Sequence, residues 1–101
     1  MNRRRTLTAL LAVTAIAGCS SPDRAWEMPG VVGQNLQAAQ DAVQELTGFA
    51  VRVTTHDLSG ADRRQVTDVE WMVCTQTPEA GTEITTDSMV DLGVVRQDED
   101  C

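Results

Sequence analysis

The first eighteen residues of this chain are not expected to take part in its fold, and that sets the size of everything else. Met1 to Arg5 is basic, and Thr6 to Ala17 (TLTALLAVTAIA) is a run of twelve largely apolar residues. A membrane-spanning helix needs roughly 20 apolar residues, so the run is too short to cross as a stable span. A basic start, a short apolar stretch and small residues at its end fit a secretory signal, residues 1–18, that is removed on export. About 75 residues then remain to build a core, a size at which natural domains often add a disulfide or a metal.

The segment ends in Ile16-Ala17-Gly18-Cys19, which resembles a bacterial lipobox. The resemblance implies a thioether lipid on Cys19, cleavage after Gly18 and acylation of the new N-terminus. Two or more acyl chains anchor stably, each buried CH₂ adding about 0.8 kcal/mol. The expected location is therefore the extracytoplasmic side of the cell membrane, with the membrane itself as a partner through Cys19. Arg4-Arg5-Thr6-Leu7 is only a degenerate twin-arginine pattern, so the export route stays open. Residues 19–27 read as the lipidated cysteine and a short tether, and nine residue steps to Met28 reach at most about 30 Å.

Charge divides sharply. All fifteen acids follow position 22, while Arg3, Arg4 and Arg5 lie in the signal, so the exported chain holds five arginines against fifteen acids, a balance of −10. Nucleic-acid phosphates repel such a chain, and its overall charge does not favour anionic lipid heads. With one Phe and no Tyr, it offers no stacking platform for bases.

Residues 28–101 read as a single domain with an acidic tail. Met28-Pro29-Gly30-Val31-Val32-Gly33 is a short extended lead-in punctuated by Pro and Gly. Asn35 is a good N-cap, and Leu36, Ala39, Val43 and Leu46 recur at helical spacing, with Gly48 behind them as the stop. A helix over about 35–47 is predicted. Phe49 to Thr55 alternates, placing Phe49, Val51 and Val53 on one face of a strand. Residues 57–65 form a polar loop. A second strand begins at Val66 or Val69 and runs to Gln76, with Val69, Trp71 and Val73 on one face. Thr77 to Gly81 is a turn, and Met89 to Val95 is a third strand. One helix followed by three strands predicts an α+β fold, with the helix laid on a small three-stranded antiparallel sheet.

The pieces Met28-Pro29-x-Val31-Val32-Gly33-x-Asn35-Leu36-x-x-Ala39, Leu46-x-Gly48-Phe49, Val73-x-x-Gln76-x-Pro78-x-x-Gly81-Thr82 and Val90-x-Leu92-x-Val94 together resemble a PASTA domain. PASTA domains are modules of penicillin-binding proteins and bacterial serine/threonine kinases. The resemblance covers about residues 28–96 and implies one helix against three strands without catalysis. It also implies binding of peptidoglycan or muropeptide, or docking to a cell-wall protein. The long loop carrying Asp62-Arg63-Arg64, the cysteines at 74 and 101 and the single copy depart from the family pattern. A lone module suits the alternative of an accessory lipoprotein that binds a cell-envelope protein and has no affinity for sugar.

With Cys19 lipidated, Cys74 and Cys101 can pair only with each other, in a compartment that permits disulfides. By the chain-entropy model that closure adds roughly 3–4 kcal/mol. A metal or reactive-thiol site is disfavoured because CxxC spacing is missing and His56 is the lone histidine. No nucleophile frame surrounds Ser59, so neither catalytic residues nor cofactors are expected. As ligand-facing residues, Arg52, Arg63 and Arg64 are candidates for gripping a stem-peptide carboxylate, against a plainer role in surface pairing. Trp71 is a candidate sugar-stacking surface, against a plainer role in the core. Trp26 lies in the tether and could fold back over the domain.

Overall fold

The computed structural model describes residues 24–101; the expected signal segment and Cys19 lie outside them. In chain order the elements are β1 (Ala25–Glu27), α1 (Leu36–Thr47), β2 (Arg52–Asp57), a 3₁₀ turn (Asp68–Glu70), β3 (Trp71–Thr77), β4 (Glu83–Thr85) and β5 (Met89–Arg96). They form an α+β fold with two sheets, β1-β4 and β2-β5-β3.

The helix forms where its signals stand. Asn35 has extended backbone and its side-chain oxygen accepts from the Ala38 amide at 2.9 Å, satisfying a donor the helix cannot. At the other end Gly48 turns left-handed at φ 63°, and its amide bonds Gln44 O. Leu36, Ala39 and Val43 are buried. The stripe closes on Thr47 rather than Leu46. Thr47 is buried with its hydroxyl donating to Val43 O at 2.9 Å, while Leu46 is 44% exposed. A straight helix favours the i+4 successor of Val43 over the i+3 one here.

The larger sheet is mixed, not antiparallel as its strands led one to expect. β3 pairs β5 antiparallel, whereas β2 pairs β5 in parallel. The three strands alternate in direction along the chain, but the last lies between the first two. A central strand that opposes β3 must then run with β2. Val90, Leu92 and Val94 of β5, Trp71 and Val73 of β3, and the helix stripe share one core with Met28, Val31, Val51 and Ile84.

Three further expectations shift by a residue or two. Phe49 does not begin a strand. It continues the left-handed turn at φ 65° and is 73% exposed, so the inward face of that segment starts at Val51. Val69 sits in the 3₁₀ turn and is 54% exposed, leaving Trp71 and Val73 as the inward pair. Asp57 belongs to the end of β2, not to the loop.

The tether is shorter than its composition suggests. Ala25, Trp26 and Glu27 pair with Thr85, Ile84 and Glu83. Trp26 and Ile84 lie opposite each other; Ile84 is fully buried and Trp26 packs against the core. Met28 then bonds Thr82 O and accepts from Gly81, each at 2.8 Å, which fastens the ribbon to the domain.

Candidate functional site

The domain has two ends. β5 spans seven residue steps of about 3.3 Å, or roughly 23 Å, from Met89 to Arg96. One end holds the start of the described chain, the helix stop and the first residues of β2 and β5. The other holds the 57–70 loop, the start of β3 and the C-terminal tail.

At the far end, Asp57 and Arg63 organise the loop. The Arg63 guanidinium donates to both oxygens of Asp57, Nε to Oδ2 at 2.8 Å and Nη2 to Oδ1 at 3.0 Å. Its other edge donates to Glu99, Nη1 to Oε2 at 3.0 Å and Nη2 to Oε1 at 2.9 Å. Two bidentate forks on one guanidinium fix both geometry and charge. The Ser59 and Arg63 amides also donate to Asp57. Its side chain is fully covered.

The electrostatics follow from these contacts. The Arg63 guanidinium holds the Asp57 carboxyl far below the usual carboxylate range; burial opposes this, and the Arg63 and Ser59 amides reinforce it. Arg63 lowers Glu99 too, helped by the Arg96 amide. Asp57 first, and Glu99 second, make the Arg63 proton harder to remove than usual. The Arg63 and Arg96 guanidinium carbons stand 5.0 and 5.7 Å from the Trp71 ring centre, a cation–π arrangement.

Cys74 and Cys101 form a disulfide, with Cα atoms 5.6 Å apart. Cys74 is the extra residue of a β-bulge: Val73 faces Val94 while Thr75 faces Gly93. The bulge lets β3 carry Val73 inward and still offer Cys74 to the tail. Glu99 sits two residues before Cys101 in that tail, so the disulfide and the double fork hold the same segment.

The residues expected to face a ligand thus separate. Trp71 is 2% exposed and packs in the core. Arg63 lies beneath the tail with both forks filled by carboxylates of the chain. Arg64, its neighbour, is exposed, as are Val66 and Val69 at 81% and 54%. Arg52 is exposed at the opposite end, lining a shallow recess with Phe49, Thr86, Asp87, Ser88 and Met89. Among the described residues, neither Arg64 nor Arg52 has a carboxylate within ion-pair distance.

Two side-chain arrangements escaped sequence reasoning. Gln76 accepts from the Val31 amide at 2.8 Å and donates to Pro29 O and Pro78 O at 3.1 and 3.0 Å. Asp91 lies 2.9 Å from His56 Nδ1 and accepts from the Thr54 hydroxyl at 2.9 Å. The first could be suspected from Gln76 lying between two proline segments. The second needs the β2-β5 register, which spacing does not supply. Among the described residues, no group of three or more His, Cys, Asp or Glu side chains is placed to hold a metal.

No family model, no curated protein and no solved structure matches the chain.

Proposed function

We propose that this protein is an extracytoplasmic lipoprotein, anchored through Cys19, that carries one PASTA-like module and binds peptidoglycan fragments without catalysis. Arg64, flanked by Val66 and Val69, is the ligand-facing group. The observation that carries this reading is the state of Arg64. It is an exposed guanidinium with no carboxylate within ion-pair distance among the described residues, on a strongly acidic domain and directly after a residue held by two carboxylates. A stem peptide presents carboxylates, and a guanidinium grips them in bidentate pairs. Support for the PASTA-like module comes from Gln76, whose amide joins pieces of the motif far apart in sequence, the Met28-Pro29-x-Val31 lead-in and Pro78.

The test is an NMR titration of residues 20–101, with the disulfide formed, by defined muropeptides. Saturable amide shifts over residues 61–69, lost in Arg64→Ala, are expected. Silence at millimolar ligand would sink the wall-binding role and favour the accessory role, in which the module binds a cell-envelope protein. Crosslinking on intact cells would then identify that protein.

A further inference from the structure

The end opposite Arg64 carries exposed apolar side chains that the domain itself does not use. Phe49 is 73% exposed, Met89 54% and Leu46 44%. Phe49 is costly to keep there. Its φ of 65° lies in the left-handed region, where glycine is at ease and an aromatic residue is strained. Strain held at an exposed aromatic side chain points to a contact outside the domain.

The start of the described chain identifies the contact. Arg24 donates to Thr47 O at 3.3 Å, which places it at the helix stop beside Gly48 and Phe49. Ala25 then pairs with Thr85, next to the Thr86–Met89 turn that lines the recess. Only five residue steps separate Arg24 from Cys19, a reach of at most about 18 Å. A lipid on Cys19 therefore emerges at this end of the domain.

Charge agrees. Arg24 and Arg52 lie here, with Asp87 in the recess and Glu45 beside Leu46. With Asp23, which precedes Arg24 in the chain, these groups sum to −1, so this end is only weakly negative while the domain as a whole is strongly negative. A lipid surface repels it least, even though the whole-chain balance disfavours adsorption.

We infer that Phe49, Met89 and Leu46, flanked by Arg24 and Arg52, form a membrane-resting face that seats the domain on the phospholipid surface, with the Arg64 end directed outward. The inference rests on the anchoring of Cys19. Apolar side chains enter the headgroup boundary while the arginines meet phosphates, as in other interfacial surfaces. The recess of Arg52 is then part of the seat and not a wall-ligand site.

The test uses the full exported chain reconstituted in phosphatidylcholine–phosphatidylglycerol bicelles, some lipids bearing a nitroxide at the headgroup boundary. Mass and co-sedimentation with lipid, against a Cys19→Ser control, are measured first. A chain of unlipidated mass that stays in solution overturns the anchor, and this face with it. For the lipidated chain, broadening concentrated at amides 46–52 and 86–89 is expected, with 61–69 spared. Phe49→Ser, at an exposed position, should reduce the broadening at 86–89 about twofold while leaving the rest of the spectrum in place. Uniform broadening, or broadening centred on 61–69, overturns the face while leaving the anchor intact.

Discussion

Asp57 and Arg63, six residues apart, are joined at three donors. The Arg63 amide and Nε both reach Asp57 Oδ2, at 2.9 and 2.8 Å, and Nη2 reaches Oδ1 at 3.0 Å. Backbone and side chain of one residue thus close the loop on one buried carboxylate. Because the same guanidinium also holds Glu99, the loop and the tail are a single unit.

Stability should depend on pH through this unit. Asp57 and Glu99 are both held below their ordinary values. Their contribution is complete above about pH 5, where folded and unfolded chains are ionised alike. Below about pH 4 the unfolded chain takes up protons that the folded one still excludes, so stability falls as pH falls. Melting temperature should decline from pH 5 to pH 3. Arg63→Ala should melt lower at pH 7 and show a shallower decline. Parallel slopes for the two proteins would mean that other carboxylates carry the acid sensitivity.

Cutting the disulfide should cost roughly 3–4 kcal/mol, since it closes a loop of 27 residue steps. For a domain of this size that corresponds to a fall in melting temperature of more than about 10 °C. Urea unfolding of Cys74→Ser/Cys101→Ser measures it. Acrylamide quenching of Trp71 should rise in the same variant, because the freed tail no longer holds Glu99 against Arg63. Unchanged quenching would show that the double fork holds the tail unaided.

Gly93 has no room for a side chain. A Cβ there would collide with the Thr75 hydroxyl and lie 2.9 Å from Leu58 Cδ2. Gly93→Ala should destabilise by about 1–3 kcal/mol. Adding Thr75→Ala should recover part of the loss, since one of the two obstacles is gone. A strictly additive double variant, followed by chemical unfolding, would contradict the packing described.

The helix cap can be tested by chemistry alone. Asn35→Ala should cost about 1 kcal/mol, and Asn35→Gly only a few tenths. Negligible losses in both variants, read by urea unfolding, would mean that Asn35 acts through its backbone bridge to Met72, which both substitutions keep, rather than through its side-chain oxygen.

Local signals were legible wherever one stretch of chain supplied both the element and its boundary. Asn35, the Leu36-Ala39-Val43 spacing and Gly48 suffice for the helix, because capping and periodicity act within a few residues. The Cys74–Cys101 pair was legible for a different reason, since assigning Cys19 to a lipid leaves one pairing open. By contrast, β4 holds one buried residue, Ile84, and β1 holds Trp26 in a stretch that reads as linker. Strands of three residues have too little alternation to announce themselves.

The sequence by itself determined the helix and the existence of the long strands, since each follows from short-range geometry. Only the tertiary structure decided that β5 lies between β2 and β3, and therefore that the sheet is mixed. It also decided which arginine is held by carboxylates. Arg63 and Arg64 are adjacent and chemically identical, yet one is held between Asp57 and Glu99 while the other is exposed. Partners 36 residues apart along the chain are brought together by packing, and a pattern of neighbours cannot express that.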